Sequence, residues 1–333
     1  MKGDAADAAS PGSIEGRICD PSGATWLADA VAYTHLFTED GKLYDTRTAY
    51  SDRNGYWLLE ELPAYQTYTV YVQYGTEVLE EHSEWIGDGD EITLTEPDCF
   101  DPLEQEVAVI VGDYDDFQLV LSNMGFANYT LVDGLVETDI SDFLTDLESM
   151  LDYDIIFFNG GHVEEGILYE ADEEDPTGIP EEIVNNVVRY AQEGGSLYAS
   201  DWAYDVVELG WPDRLDFVGD DTVPDDAQQG EYGEVTALVS DDAMADWLDV
   251  STLAIEYDLP VWPPIESADS AVSTHLLGSV EYRNGTETHE LTDVPLLVSF
   301  GSGEGKVVFS TFRVAKNGSS DMLLILQYMM YNL

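Results

Sequence analysis

The hydrophobic pattern of residues 14–97 is that of short strands separated by tight turns. Apolar and aromatic runs alternate with turn sequences such as Glu-Asp-Gly, Asp-Arg-Asn-Gly and Gly-Asp-Gly. Runs bounded by such turns predict β-strands joined by hairpins. The predicted strands begin at residue 14 and continue at residues 30–37, 56–59, 68–74 and 91–94. We therefore expect an N-terminal antiparallel β-sandwich over residues 14–97, preceded by a flexible leader of residues 1–13.

The pattern changes its period after an acidic linker at residues 98–105. From there on, continuous apolar runs typical of buried strands alternate with amphipathic segments typical of helices. Strands are predicted at residues 107–111, 129–132, 155–158 and 196–199, and helices at 115–124, 180–192 and 141–151, the last capped by Ser141 or Asp142. The alternation predicts an α/β flavodoxin-like, doubly wound domain over residues 106–333, with any site at the carboxyl ends of its strands.

The last third of the chain has a less regular pattern. It predicts a helix at residues 241–248, strands at 252–257 and 275–283, a hairpin of 294–300 with 306–312, and a closing helix at 321–331.

The charge of the chain limits its partners. Eleven Lys and Arg residues against 69 Asp and Glu residues give a formal net charge of −58. Repulsion excludes nucleic acid as a partner and disfavours anionic membrane surfaces. A solvated acidic surface suits salty surroundings, where screening weakens self-repulsion. Hydrophobic residues still make up 44% of the chain, which predicts packed cores, and no apolar run reaches the roughly 18 residues of a membrane span.

Clusters of carboxylates suggest one cofactor, Ca²⁺, which prefers several oxygen ligands. None of the clusters has the spacing of an EF-hand loop. Capping of the following helix is the stronger interpretation for Asp115 and Asp116. The clusters are Asp113, Asp115 and Asp116, then Asp88, Asp90 and Glu91, and then residues 172–175.

The two cysteines indicate a compartment. Cys19 lies in the first predicted strand and Cys99 just beyond the last strand of the sandwich. A bridge between them would close this domain end to end and contribute roughly 4 kcal/mol on the chain-entropy model. It would also imply an oxidising compartment, so we expect a secreted, periplasmic or cell-surface protein. Two free cytosolic thiols are the alternative.

The stretch YSDRNGYWLLEELPAYQTYTVYV at residues 50–72 resembles the signature of carboxypeptidase-regulatory-like, prealbumin-type domains. Ala64 and Tyr65 stand where that family usually has a glycine. The resemblance implies a non-catalytic spacer, stalk or adhesive module. The matching positions are Asp52, Gly55, Tyr56, Leu62, Pro63 and Tyr68.

Residues 106–333 resemble the class I glutamine-amidotransferase-like superfamily. The resemblance is carried by VAVIVGDYD at 107–115, YDIIFFNGG at 153–161, VVRYAQEGGSLYASDWAYD at 187–205 and GEGKVVFSTFR at 303–313. It implies a nucleophilic Cys at a strand-to-helix elbow and a catalytic His after a later strand. Asp201 stands at the Cys position and Arg313 at the His position. Because Arg does not deprotonate in proteins, it cannot serve as the base, and we expect an Asp201–Arg313 ion pair in place of the dyad.

Two other constellations are open at the same sheet edge. Ser200 and His162 could form a nucleophile–base couple. However, Ser200 precedes the elbow and is expected to point to the opposite face, and His162 is expected to be an ordinary loop residue. A polar pocket could instead hold a cation or a hydroxyl-rich or cationic small ligand. Its candidate residues are Asp113, Asp115, Asn159, His162, Asp201 and Asp205.

Three functions follow from these patterns. The leading one is a non-catalytic extracellular or cell-surface binding or structural protein, with a cation, a glycan or a protein as partner. The alternatives are a hydrolase with a nonstandard site around Asp201, Ser200 and His162, and a cation-dependent, self-associating surface or filament component. Four tryptophans fit either core packing or stacking on sugars. They are Trp202, Trp211, Trp247 and Trp262.

Overall fold

The computed structural model divides into two compact units, Met1–Pro102 and Leu103–Tyr331, and both are rich in strands. The chain is described at residues 9–19, 26–27, 30–38, 42–74, 77–99, 106–123, 129–161, 167–168, 179–219, 227–248, 250–260, 262–313, 322, 325–326 and 328–329.

The first unit is built from two sheets. One has the order β4-β1-β7, with β8 also paired to β1, and the other has the order β3-β2-β5-β6. All pairs are antiparallel except those of β1 with β7 and with β8. The strands are β1 (Gly12–Cys19), β2 (Val31–Phe37), β3 (Leu43–Tyr50), β4 (Tyr56–Leu62), β5 (Gln66–Tyr74), β6 (Glu77–Ile86), β7 (Glu91–Thr93) and β8 (Asp98–Cys99).

Alternation along these strands produces the core of the first unit. Ile14, Ile18 and Trp57 are buried at alternate positions of β1 and β4. Gly16 is required beside Trp57, because a Cβ at residue 16 would lie 2.5 Å from the indole ring. Strand β1 starts at Gly12, two residues before the start predicted for it.

The predicted disulfide is confirmed. Cys19 and Cys99 are bonded, and their Cα atoms lie 4.4 Å apart where β8 pairs with β1. The bridge therefore joins the first and last described strands of the unit.

The second unit alternates strands and helices along its first half. The strands are β9 (Val107–Ile110), β10 (Tyr129–Val132), β11 (Ile155–Phe158), β12 (Ser196–Ser200), β13 (Leu215–Phe217), β14 (Gln229–Gly230), β15 (Gly233–Val239), β16 (Thr252–Tyr257), β17 (Ile265–Ala268), β18 (Ser273–Asn284), β19 (Glu287–Ser302) and β20 (Gly305–Ser310). The helices are α1 (Phe117–Asn123), α2 (Glu137–Thr145), α3 (Leu147–Met150), α4 (Ile179–Gln192), α5 (Tyr204–Gly210) and α6 (Asp242–Leu248).

Ten of these strands form one mixed sheet. Its order is β10-β9-β11-β12-β20-β19-β18-β15-β16, with β14 paired to β18. The strands from β10 to β20 are parallel, whereas those from β20 to β16 pair antiparallel. The predicted hairpin of residues 294–300 with 306–312 is the pair β19–β20. The pairing of β18, β15 and β16 into the same sheet was not predicted, because no local pattern marks these strands as neighbours. A separate pair, β13 with β17, completes the described strands.

Helices cover both faces of the parallel half. Ile183 and Val187 of α4 pack in one core cluster with Ile156 and Phe309 of the sheet. On the other face, Phe117 of α1 stacks on Phe157, with ring centroids 4.4 Å apart. The continuous apolar runs of β9, β11 and β12 follow from this, since both faces of each strand are buried.

The helix predicted at residues 141–151 has different bounds. It begins at Glu137, so neither Ser141 nor Asp142 caps it, and it is interrupted at Asp146. The Asp146 carboxylate accepts hydrogen bonds from the backbone N–H and the hydroxyl of Ser149, at 3.3 and 2.7 Å. Asp146 therefore starts the short helix α3, as an N-cap residue does.

Candidate functional site

Asp201 lies at a sharp turn between a strand and a helix. Strand β12 ends at Ser200, Asp201 has φ +56°, and a 3-10 turn at Asp201–Ala203 leads into α5. This left-handed backbone conformation costs roughly 1–3 kcal/mol for a non-glycine residue, although Asp tolerates it better than most. Gly160 faces the turn, and a Cβ there would lie 3.3 Å from the Asp201 Cβ. The elbow therefore depends on a small residue in the neighbouring loop.

Arg313 meets Asp201 across this turn. Its Nε lies 3.5 Å from Asp201 Oδ2, and its Nη2 contacts the carboxylate of Asp258. Its Nη1 donates a hydrogen bond to the carbonyl oxygen of Tyr114, 2.8 Å away. The side chains of Arg313 and Asp201 are only 8% and 1% exposed. The ion pair expected between Asp201 and Arg313 is therefore present, and it is buried.

Several carboxylates share this single guanidinium. Burial raises the pKa of Asp201 well above its usual value, and Arg313 opposes that rise, whereas Asp115 and Asp258 add to it through repulsion. Asp201 Oδ1 has no hydrogen-bond partner among the described residues. Burial thus outweighs the attraction of Arg313, and Asp201 holds a proton more readily than an exposed Asp does.

The pocket in front of Asp201 is nearly filled. Its free space is about 10 Å³, about the room that one water molecule needs. The Trp262 ring stacks on Tyr257 at 4.0 Å, and the Tyr257 hydroxyl lies 2.7 Å from Thr311 Oγ1. The lining consists of Asp201, Glu256, Tyr257, Asp258, Leu259, Trp262, Thr311, Phe312 and Arg313. In this conformation the pocket holds an internal ion pair and has no space for a substrate.

The other predicted site residues are only partly brought together. Asn159 is buried, and its Nδ2 donates a hydrogen bond to the carbonyl oxygen of Asp115, 3.1 Å away, which places both beside Asp201. Asp113 is exposed, and the fully buried Asp205 does not line the Asp201 pocket. Ser200 is buried, with no hydrogen-bond partner for its hydroxyl among the described residues. His162 lies outside the described residues, so its pairing with Ser200 stays a prediction.

Calcium binding also stays a prediction. Within the described part of the chain, no group of three or more His, Cys, Asp or Glu side chains is arranged to hold a metal ion. The Asp115 carboxylate instead accepts a hydrogen bond from the N–H of Asp116, 2.9 Å away. Asp88 and Asp90 accept hydrogen bonds from the backbone N–H groups of Ser10 and Gly87. Residues 172–175 lie outside the described ranges.

A second polar cluster was not found from the sequence. His275 Nδ1 lies 2.6 Å from Asp241 Oδ2, and His275 Nε2 lies 2.8 Å from Ser299 Oγ. Its members come from α6's N-terminal turn, β18 and β19, so no local motif could signal it. The order of acid, imidazole and hydroxyl is that of a hydrolase relay. Ser299 is only 3% exposed, however, and we interpret the cluster as a structural one whose hydrogen bonds hold the three elements together.

This cluster predicts a pH dependence of stability. The hydrogen bond from His275 lowers the pKa of Asp241, so its stabilisation is complete above the unfolded value of 3.8 and is lost as pH falls below it. Lys306 also interacts with Asp241. We expect Asp241→Asn to lower the free energy of unfolding by about 1.5–3 kcal/mol at pH 7. Below pH 3.8 the variant should lose less stability than the unaltered protein, as measured by urea unfolding.

The exposed neighbour Asp242 provides the control. Asp242→Asn should leave the decrease in the free energy of unfolding at acidic pH almost unchanged. If the free energy of unfolding decreases equally with falling pH in Asp241→Asn and in the unaltered protein, the cluster does not contribute to the pH dependence of stability.

Comparisons with known proteins do not define a family. No family model and no curated protein matches the chain. Similar solved structures include the cytoplasmic protein STM3548 from Salmonella typhimurium, 12% identical over 68% of this chain and 98% of that chain, with a TM-score of 0.40. The cytoplasmic protein STM1381 from Salmonella typhimurium LT2 is 14% identical over 68% and 95%, with a TM-score of 0.41. A β-galactosidase from Bacillus circulans sp. alkalophilus is 12% identical over 68% and 30%, with a TM-score of 0.37.

Scores and identities at this level carry no argument about fold or function. No helix in the described part of the chain is long and apolar enough to cross a membrane.

Proposed function

We propose that this chain is a non-catalytic binding or structural protein that works outside the cytosol. Its second unit is a scaffold of the amidotransferase-like type without the catalytic dyad, and its first unit is a carboxypeptidase-regulatory-like spacer or docking module. The observation that carries the proposal is the Arg313 guanidinium, which is held by Asp201, Asp258 and the Tyr114 carbonyl in the place of a catalytic base.

The strand order supports the scaffold part of this proposal. Numbered along the chain among themselves, the parallel strands β9, β10, β11, β12 and β20 have the order 2-1-3-4-5 across the sheet. That order is the flavodoxin-like one, and its ligand crevice lies between the first and third strands. Asp115 and Asn159 follow those two strands, and Asp201 follows the next. The Asp201 pocket lies at the same carboxyl edge of the sheet, after the fourth and fifth of these strands.

The chemistry of the pocket supports a non-catalytic role. Arg313 lies beside Asp201 where a nucleophile would need a base, and its guanidinium cannot accept a proton. Beside a guanidinium, and in a pocket with room for about one water molecule, Asp201 is poorly placed to attack an amide or ester.

The disulfide and the net charge support a location outside the cytosol. A bridge such as Cys19–Cys99 persists in oxidising compartments, and glutathione and thioredoxin keep cytosolic thiols reduced. The charge of −58 suits salty surroundings, where the repulsion is screened. We therefore place the protein in the periplasm, on the cell surface or in the medium.

A substrate screen tests the absence of catalysis. We expect the unaltered protein to turn over ester, amide and glycoside substrates no faster than the variant Asp201→Asn does. Asn retains the left-handed turn at residue 201 but has no ionisable carboxyl. Turnover that disappears in Asp201→Asn would support the competing hydrolase and overturn the proposal. Ser200→Ala serves as a second variant, because it separates a serine nucleophile from a role of Asp201.

A further inference from the structure

The first unit has an open pocket where one of its ladders is interrupted. Strand β1 pairs with β7 up to the pair Glu15–Thr93 and resumes with β8 at the pair Ile18–Asp98. Residues 94–97 therefore lie opposite only Gly16 and Arg17. Because residues 94–97 are more numerous than the residues opposite them, this segment separates from β1. The pocket opens where the two separate, on the outer face of the sheet.

The size and lining of this pocket are those of a small-ligand site. Its volume is about 450 Å³, within the range of roughly 300–1,000 Å³ typical of ligand pockets. Trp26, Tyr56, Leu94 and Pro97 supply apolar surface, and Arg17 lies over the Trp26 ring at 4.9 Å. The pocket belongs entirely to the first unit and shares no residue with the Asp201 site.

The polar groups of the pocket are held in fixed positions. Glu15 accepts hydrogen bonds from the Tyr56 hydroxyl at Oε2 and from Thr93 Oγ1 at Oε1, the latter at 2.6 Å. These two bonds lower the pKa of Glu15, which keeps it an acceptor. The pocket thus offers a carboxylate acceptor, guanidinium donors and hydroxyls beside aromatic carbon.

We propose that this pocket binds a neutral, hydroxyl-rich ligand, a short saccharide, with a sugar ring packed on Trp26 or Tyr56 and its hydroxyls held by Glu15 and Arg17. This inference rests on the binding function proposed above and names the ligand class. Sugar hydroxyls both donate and accept, which matches the mixed donors and acceptors of the lining. Aromatic rings with a polar neighbour suit a ligand that has apolar C–H faces and a polar rim.

Other ligand classes fit this pocket less well. An anion would enter against the chain's net charge of −58 and next to the Glu15 carboxylate. A cation would lie next to the Arg17 guanidinium, whose like charge repels it. A purely apolar ligand would leave the charged groups of Glu15 and Arg17 without hydration.

Isothermal titration of the full chain with neutral hexasaccharides of glucose, mannose and N-acetylglucosamine tests the inference. We expect at least one to bind, Trp26→Ala to weaken its affinity about tenfold or more, and Tyr56→Phe to weaken it less. Trp85→Ala is the matched control, because Trp85 is 56% exposed on β6 and outside the pocket. Tyr56→Phe removes only one hydroxyl, so it reports on the site even where Trp26→Ala fails to fold.

Failure of this inference differs from failure of the proposed function. Absence of binding to all three hexasaccharides overturns the inference, as does equal weakening by Trp26→Ala and Trp85→Ala. Neither result bears on catalysis at Asp201. Conversely, turnover abolished by Asp201→Asn would overturn the non-catalytic proposal. Sugar binding that is weakened in Tyr56→Phe and unchanged in Asp201→Asn would still support the pocket.

Discussion

Replacing Arg313 by methionine is expected to destabilise the protein by about 3–5 kcal/mol, because it leaves the buried Asp201 and the partly buried Asp258 without their cation. The guanidinium contacts Asp201 and Asp258, and Asp115 adds to the repulsion at Asp201. Methionine retains much of the side-chain volume, so the loss reports on charge and hydrogen bonding. Urea unfolding at neutral pH and high salt measures the change in the free energy of unfolding.

The matched control for this change is Arg189→Met. Arg189 forms an exposed i,i+4 pair with Glu193 and should contribute less than about 1 kcal/mol. The double variant Asp201→Asn/Arg313→Met should recover part of the loss, because it removes one of the uncompensated charges. If Arg313→Met lowers the free energy of unfolding no more than Arg189→Met does, the ion pair does not stabilise the second unit. The observation that carries the proposed function would then no longer support it.

Replacing both Cys19 and Cys99 by serine is expected to lower the free energy of unfolding by about 4 kcal/mol on the chain-entropy model. The bridge spans a sequence separation of 80 residues, so its removal releases a long loop in the unfolded chain. Cys19 is also buried, and a serine hydroxyl there adds a polar group to the core. Urea unfolding of the variant beside the unaltered protein measures the loss.

Reduction of the unaltered protein supplies an independent check on the disulfide. A thiol reductant should destabilise the unaltered protein by a similar amount and leave the double serine variant unchanged. A reductant effect of the same size in both would mean that the loss comes from elsewhere. If the serine variant is as stable as the unaltered protein, the disulfide does not stabilise the fold and no longer supports an oxidising compartment.

Local pattern was sufficient for many of the secondary-structure elements. Strands β10, β11 and β16 have the predicted bounds, because each is a short apolar run between polar segments. Strands β3 and β6 were missed. They lie at the edges of their sheet. β3 has no buried position and β6 carries four Glu residues, so neither forms an apolar run in the sequence. The early start of α2 was also missed, because no capping residue marks it.

The sequence by itself indicated the cysteine pair, because the two cysteines lie at the first and last strands that local pattern located, and its resemblance to amidotransferase-like domains indicated Asp201 and its expected partner Arg313. Only the tertiary structure decided what surrounds them. Asp258 comes to Arg313 from another part of the sheet, and the cluster of Asp241, His275 and Ser299 depends on strand pairing. The pocket over Gly16 exists because two pairings of β1 differ in register. Such contacts join residues far apart in sequence, and their formation depends on packing that no local period encodes.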